Sequence, residues 1–236
     1  MNILVNGPSV SRGPGSWPYL LQEHYNADLV NLSQAGAGNT YIHETTIAEL
    51  AQRSYDLVAI MWGDQQRLDI KVKNIDYFHD TIYTSKFQKA MNDWPEKSAE
   101  PVNDQDYVQD NWVFGCGYIN TKDPCLVELF DSYYQHTDND SRYFSSIIKM
   151  ISLQGVLKNL GVKYVFCGTR TLPLLKRYEH LYNLLDWNCI INDLTPHHVA
   201  YRKNSWEEDQ LHPGSVAHRE FADHMIAQLQ QRHIVS

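Results

Sequence analysis

The 236 residues carry 20 Lys and Arg against 28 Asp and Glu, a formal net charge of −8, with 43% hydrophobic and 20% charged residues. This is the composition of a globular chain long enough to bury a full core. The acidic balance excludes non-specific nucleic-acid binding, which needs Lys and Arg to neutralise phosphates, and no apolar run approaches the ~18 residues that span a bilayer.

In chain order, the first apolar run is Asn2–Asn6. Met1-Asn2-Ile3-Leu4-Val5 lacks the basic start and long apolar stretch of a signal peptide, so it reads as a first strand and predicts a cytoplasmic protein. Further runs rich in β-branched residues lie at Asp28–Leu32, Asp56–Met61 and Val162–Cys167, with a weaker one at Asn188–Ile191. Helical patterns separate them. Tyr41–Ser54 places Ile42, Ile47, Leu50 and Ala51 near one face, and Arg142–Leu160 does the same with Phe144, Ile147, Ile148, Ile151 and Leu157. The last pattern, from Pro213, carries Phe221, Met225 and Leu229 four apart, and proline suits a first helical turn. Strands alternating with helices predict a three-layer α/β/α sandwich, flavodoxin-like, around a parallel sheet of about five strands.

The stretch from about Leu68 to Ser141 breaks this rhythm. It is polar and aromatic, interrupted by Trp94-Pro95, Pro101 and Pro124. Helices are expected around Tyr83–Asn92 and Leu126–Tyr134, with no buried strand. It reads as a helical or irregular insertion, at about 68–141, within a single domain spanning 1–236 and packed over the carboxyl edge of the sheet. Its aromatics Tyr77, Phe78, Tyr107, Trp112 and Tyr118 suit either a sugar-stacking wall or a small core of the insertion itself.

Ligands of an open parallel sheet bind beyond the carboxyl ends of its strands, so the turns there carry the chemistry. After the first strand, Asn6-Gly7-Pro8-Ser9 puts a serine at a helix start, either exposed as a nucleophile or serving as a cap. After the second, Ser33–Thr40 holds Gly36 and Gly38, and a glycine N–H is a suitable oxyanion donor. After the third, Trp62-Gly63-Asp64-Gln65-Gln66-Arg67 offers a side-chain amide. Near the end, Asp209-Gln210-Leu211-His212-Pro213 sets a carboxylate three residues before an imidazole. That spacing lets Asp209 fix the tautomer of a general base.

In this order and placement the four blocks resemble the SGNH (GDSL-like) hydrolases. The stretch from Asp209 to His218 is the closest match, since the family has D-x-x-H-P followed by a second histidine. The resemblance implies that Ser9 is a nucleophile, His212 its general base and Asp209 the residue orienting His212. It implies an oxyanion hole made of the Ser9 N–H, the Gly38 N–H and the Gln65 amide, with Trp62 and Arg67 binding substrate. The substrate class implied is a small-molecule or carbohydrate ester, such as an O-acetylated sugar. Two blocks depart from the family: Gly7-Pro8-Ser9 stands where Gly-Asp-Ser is usual, and Gln65 stands where Asn is usual. Losing one oxyanion donor can cost ~10²–10³ in rate. Two alternatives therefore stay open, a binding protein of the same fold with weakened catalysis and an O-acyltransferase using the same triad. The pieces Ile3–Ser9, Ser16-Trp17-Pro18 and Trp62 to Arg67 are also similar to SGNH-like proteins encoded by tailed phages, which would place the chain in the host cytoplasm or the virion.

Other groups point to less. The glycines around Ser9 lack the G-K-[S/T] of a phosphate loop. His197 and His198, being adjacent, are expected on the surface. Cys116, Cys125, Cys167 and Cys189 form no C-x-x-C pair and no zinc-finger spacing, so neither a disulfide framework nor a metal or other cofactor is expected. Nucleic acid and membrane are not expected as partners.

Overall fold

The computed structural model describes residues 1–64, 67–71, 108–109, 112–115, 124–172, 174–207 and 212–235. Its framework strands are β1 (Asn2–Asn6), β2 (Asp28–Asn31), β3 (Leu57–Trp62), β7 (Lys163–Gly168) and β8 (Ile190–Ile191), all parallel in the order β2-β1-β3-β7-β8. Between β3 and β7 the described residues form three further strands, β4 (Leu68–Lys71), β5 (Val108–Gln109) and β6 (Trp112–Gly115). The helices are α1 (Trp17–Tyr25), α2 (Asn39–Leu50), α3 (Pro124–His136), α4 (Asn139–Asn159), α5 (Glu179–Tyr182), α6 (Pro196–Lys203) and α7 (Ser215–Gln231).

The strands are apolar throughout because both faces are covered. Alternate side chains separate into two cores, as the two-residue period of a strand requires. Ile3, Val5, Leu57, Ala59, Met61, Val165 and Cys167 meet Trp17 and Leu21 of α1 and Phe221, Met225 and Leu229 of α7. Leu4, Val58, Ile60, Tyr164 and Phe166 meet Tyr41 and Ile42 of α2 and Ile147, Met150, Leu153 and Leu157 of α4. This is the expected three-layer arrangement of five parallel strands.

Several helical faces differ from those expected. On α4, Phe144 and Ile148 are exposed, while Tyr143, Met150 and Leu153 are buried beside Ile147 and Leu157. The apolar stripe of the sequence runs about one residue out of phase with the packed face. Ala51 is exposed just beyond α2, which Leu50 ends. The helices α1 and α6 are additions to the expected set. Trp17-Pro18 opens α1 and Thr195-Pro196 opens α6, where the Thr195 hydroxyl accepts from the His198 N–H at 3.2 Å.

No buried strand is expected in the insertion, and the short strands found there are buried, among the positions described, only at Asp69 and Trp112. β4, β6 and β5 form a small antiparallel sheet, with Leu68–Lys71 paired to Trp112–Gly115 and Val108–Gln109 on the far side. The expected helix at Leu126–Tyr134 lies within α3, while the one at Tyr83–Asn92 falls outside the described residues. Trp112 is buried and meets Tyr41 edge to face at 5.5 Å, so it belongs to the main core rather than to an exposed wall. Tyr77, Phe78, Tyr107 and Tyr118 fall outside the described residues.

One carboxylate keys this small sheet to the framework. The first residues of a helix have N–H groups without intrahelical acceptors, and Gly38, at the cap of α2, has no side chain to satisfy them. Asp69 of β4 does so, accepting from the Gly38 N–H at 2.7 Å and from the Tyr41 N–H at 2.8 Å. Position 38 is glycine for want of space: a Cβ there would lie 2.8 Å from Asp69 Oδ1 and 2.9 Å from Arg67 Cβ. Burial pushes the Asp69 carboxyl up to about 6, against the pull of those N–H donors and of Arg67. Asp69→Ala is expected to lower the unfolding free energy by about 1–3 kcal/mol in urea titrations, because it strands buried donors at a helix start. Asp69→Asn, which keeps an acceptor, is expected to lose less.

Candidate active site

The turn after β1 is built to hold Ser9 still. Asn6 is fully buried, and its amide donates to Thr45 Oγ1 at 2.8 Å, Thr46 Oγ1 at 3.0 Å and the Ile42 carbonyl at 3.2 Å. Its Oδ1 accepts from the Gly7 N–H at 2.9 Å. Any Cβ on Gly7 would lie 2.7 Å from Ser11 Oγ and 3.0 Å from Met61 Cβ, so the strand end can turn here only with glycine. Pro8 follows in an extended conformation, and Ser9–Ser11 form one turn of 3₁₀ helix. Ser11 is a structural serine. It is buried, accepts from Trp17 Nε1 at 3.0 Å through its hydroxyl, and accepts from Asn31 Nδ2 at 2.8 Å through its carbonyl. Ser9 is half-buried, and its N–H has no acceptor among the described residues.

The other half comes from the far end of the chain. Trp206 and Pro213 form an antiparallel bridge. The Glu207 N–H donates to the His212 carbonyl at 2.8 Å, and the Gly214 N–H to the Ser205 carbonyl at 2.9 Å. This short ladder pins both ends of the segment that carries Asp209, which itself lies outside the described residues, as do Gln65 and Gln66. His212 leaves the ladder with its Nε2 3.0 Å from Ser9 Oγ. Two residues 203 positions apart thus meet within hydrogen-bond reach.

Two more imidazoles surround this pair. His218, in the first turn of α7, is buried, and His197, opening α6, is half-buried rather than a surface residue as expected. Its ring lies 6.2 Å from that of Trp206. The Nδ1 atoms of both rings are buried without a partner. Burial first, and the nearby His212 second, hold each well below the usual imidazole range, at about 4. At neutral pH both are therefore uncharged and oppose no positive charge on His212.

The second block must be corrected. The Gly38 N–H is held by Asp69 and so is not available to an oxyanion. Gly36, two residues earlier, has φ +77°, and its N–H has no acceptor among the described residues. The glycine signal is in the sequence, but Gly36 and Gly38 are indistinguishable there without the partner that takes one of them. Arg67 is likewise committed to this turn, donating from Nη1 to the Ala37 carbonyl at 3.0 Å.

Sequence reasoning missed Asn39. Its buried amide ties the second turn to the third: Oδ1 accepts from the Gly63 N–H at 2.8 Å, while Nδ2 donates to the Gly63 carbonyl at 3.3 Å and to Ser146 Oγ at 3.0 Å. Beyond this clamp, at the carboxyl ends of β3, β7 and β8, lies a cavity of about 230 Å³. Trp62 is on its wall, 4% exposed and packed edge to face on Phe166 at 5.5 Å. Among the described residues no group of three or more His, Cys, Asp or Glu side chains could hold a metal ion. Cys167 and Cys189 are free thiols, and among the described residues no helix is long and apolar enough to cross a membrane.

No family profile and no curated protein sequence matches the chain. Solved structures do. The psychrotrophic esterase EstA from Pseudoalteromonas sp. superposes with a TM-score of 0.52 at 14% identity, over 98% of this chain and 97% of its own. TesA superposes with a TM-score of 0.53 at 13% identity, over 98% and 99%. At these identities the likeness is one of fold.

A buried neutral histidine makes stability depend on pH with a definite sign. His218 binds its proton near pH 4 when folded and near 6.5 when unfolded, so the unfolded chain gains protons first as pH falls. Its contribution is present above about pH 6.5 and is lost as pH falls toward 4. In urea unfolding at pH 7 and pH 5, His218→Gln is expected to lose less stability between the two than the wild type.

Proposed function

We propose that this chain, which has the fold of the SGNH-type hydrolases, is a serine-dependent ester hydrolase. The observation that carries the reading is the 3.0 Å approach of His212 Nε2 to Ser9 Oγ at the carboxyl edge of the sheet. The esterase nature of EstA, whose structure is of a form inhibited by monoethylphosphonate, supports the same reading for a shared fold.

The steps follow from the arrangement. Ser9 donates its hydroxyl proton to His212 Nε2 as its Oγ attacks the acyl carbonyl, forming a C–O bond and leaving the negative charge on the former carbonyl oxygen. The Ser9 N–H and the Gly36 N–H receive that oxygen, and the family resemblance adds the Gln65 amide as a third donor. The tetrahedral species collapses, the ester C–O bond breaks, and the leaving alkoxide takes the proton from His212. Water then attacks acyl-Ser9, giving its proton to His212, which returns it to Ser9 as the carboxylic acid departs. Asp209, three residues before His212, orients the imidazole through Nδ1.

The neutral His197 and His218 suit this cycle, because His212 must become an imidazolium twice in each turnover. The substitution of Pro8 for the usual acid before the serine removes no reacting group. Pro8 is extended, and its carbonyl accepts from the Ser11 N–H at 2.8 Å to close the 3₁₀ turn.

Ser9→Ala and His212→Ala are each expected to lower kcat on p-nitrophenyl esters by at least ~10³-fold. A fluorophosphonate is expected to label the wild type at Ser9 and to leave Ser9→Ala unlabelled. Hydrolysis that survives both substitutions would overturn the assignment.

A further inference from the structure

The peptide that joins Ala37 to Gly38 is gripped at both of its polar ends by one short segment, Arg67–Asp69, where the insertion begins. Its carbonyl accepts from Arg67 Nη1 at 3.0 Å, and its N–H donates to Asp69 Oδ1 at 2.7 Å. The other carboxylate oxygen accepts from the Tyr41 N–H at 2.8 Å, which fixes Asp69 on the start of α2. Asp69 is 6% exposed, so these bonds are made away from water, where losing the acceptor strands buried donors. The third turn packs on the same peptide, since a Cβ on Gly63 would lie 3.1 Å from the Ala37 carbonyl oxygen.

Capping of α2 accounts for the Asp69 bonds alone. The Ala37 carbonyl precedes the helix and takes no part in its ladder, yet it too is held. What the double grip fixes is the plane of one peptide.

That peptide closes the turn that carries Gly36. The Ala37 N–H donates to the Gln34 carbonyl at 3.2 Å, so residues 34–37 form a four-residue turn. Gly36 is its third residue, with the positive φ of +77° that favours glycine there. The first residue is fixed on the turn of the serine itself: the Gln34 N–H donates to the Gly7 carbonyl at 3.0 Å, two residues before Ser9. Between these two anchors the Gly36 N–H has no acceptor among the described residues. With one anchor cut, the peptides beside Gly36 could rotate, and glycine resists rotation least.

On the hydrolase reading, with Gly36 as an oxyanion donor, we propose that Arg67 and Asp69 are positioning residues of the reaction. By clamping the Ala37–Gly38 peptide they keep the Gly36 N–H preset for the oxygen that becomes negative when Ser9 attacks. A preset donor costs no reorganisation at the moment of reaction, whereas a mobile one must be ordered first. The groups that set the donor thus come from the edge of the insertion, while the donor itself belongs to the framework.

Arg67→Met is the sharpest test, because it keeps the side-chain stem, removes the guanidinium and leaves the Asp69 cap of α2 in place. On p-nitrophenyl acetate its kcat is expected to fall ~10- to 100-fold with KM within about two-fold, the pattern of an interaction made in the transition state. Asp69→Ala is expected to lose at least as much, and Asp69→Asn, which keeps an acceptor for the Gly38 N–H, to recover most of it. The rate at which a fluorophosphonate labels Ser9 is a readout without turnover. Its phosphonyl oxygen would take the same donors, so labelling of Arg67→Met is expected to slow by a similar factor. Thermal unfolding of each variant ensures that folded protein is assayed, and Arg67→Met carries the decision if Asp69→Ala does not fold. Wild-type kcat and labelling rate in folded Arg67→Met, or a loss confined to KM, would overturn the proposal while labelling and hydrolysis by the wild type keep the hydrolase reading. A wild type that neither labels nor hydrolyses would bring down both.

Discussion

A parallel sheet covered on both faces leaves its strand ends as the place where function can be built, and that constraint organises this molecule. Side chains of β1, β3 and β7 are consumed alternately by the α1–α7 layer and the α2–α4 layer. The turns at the carboxyl ends are what these layers do not cover. Ser9, Gly36 and Gly63 sit in three successive such turns, and His212 is brought to them by the segment that leads into α7. Packing of α7 on the sheet, through Phe221, Met225 and Leu229, is therefore what holds a histidine from one end of the chain against a serine from the other.

Within that edge, polar groups are divided between holding turns and facing outward. Asn6, Asn39 and Asp69 are buried and hydrogen-bonded to backbone and, for the two asparagines, to hydroxyls as well, each tying one turn to a neighbouring element. A buried polar group is tolerated because its hydrogen bonds are made, and once made they fix a geometry more firmly than apolar contact does. Ser9 and His212 are the half-buried remainder, within reach of each other. The small β4-β6-β5 sheet enters this scheme through Asp69, which reaches the N-terminus of α2 and so touches the glycine turn beside the site. The insertion is thus tied directly to the turn that precedes α2.

Much of this architecture is legible in the order of the residues. The five framework strands are readable because β-branched runs bounded by turn residues have few other uses, and the departures in their bounds are of one or two residues. The Ser9 and His212 blocks are legible because each combines a strand end or helix start with a reactive side chain. Faces of helices are harder. On α4, Tyr143 and Phe144 are equally apolar in sequence, and only the position of the sheet buries one and exposes the other. The strands of the insertion are illegible for a similar reason, since Leu68–Lys71 has no apolar run and gains its place through Asp69.

The sequence by itself determined the layer order, the framework strands and the placing of a serine and a histidine block at strand end and helix start, because local pattern and turn chemistry are properties of short segments. Tertiary structure alone decided which glycine N–H is available, since Gly36 and Gly38 differ only in that a carboxylate 31 residues beyond Gly38 occupies the second.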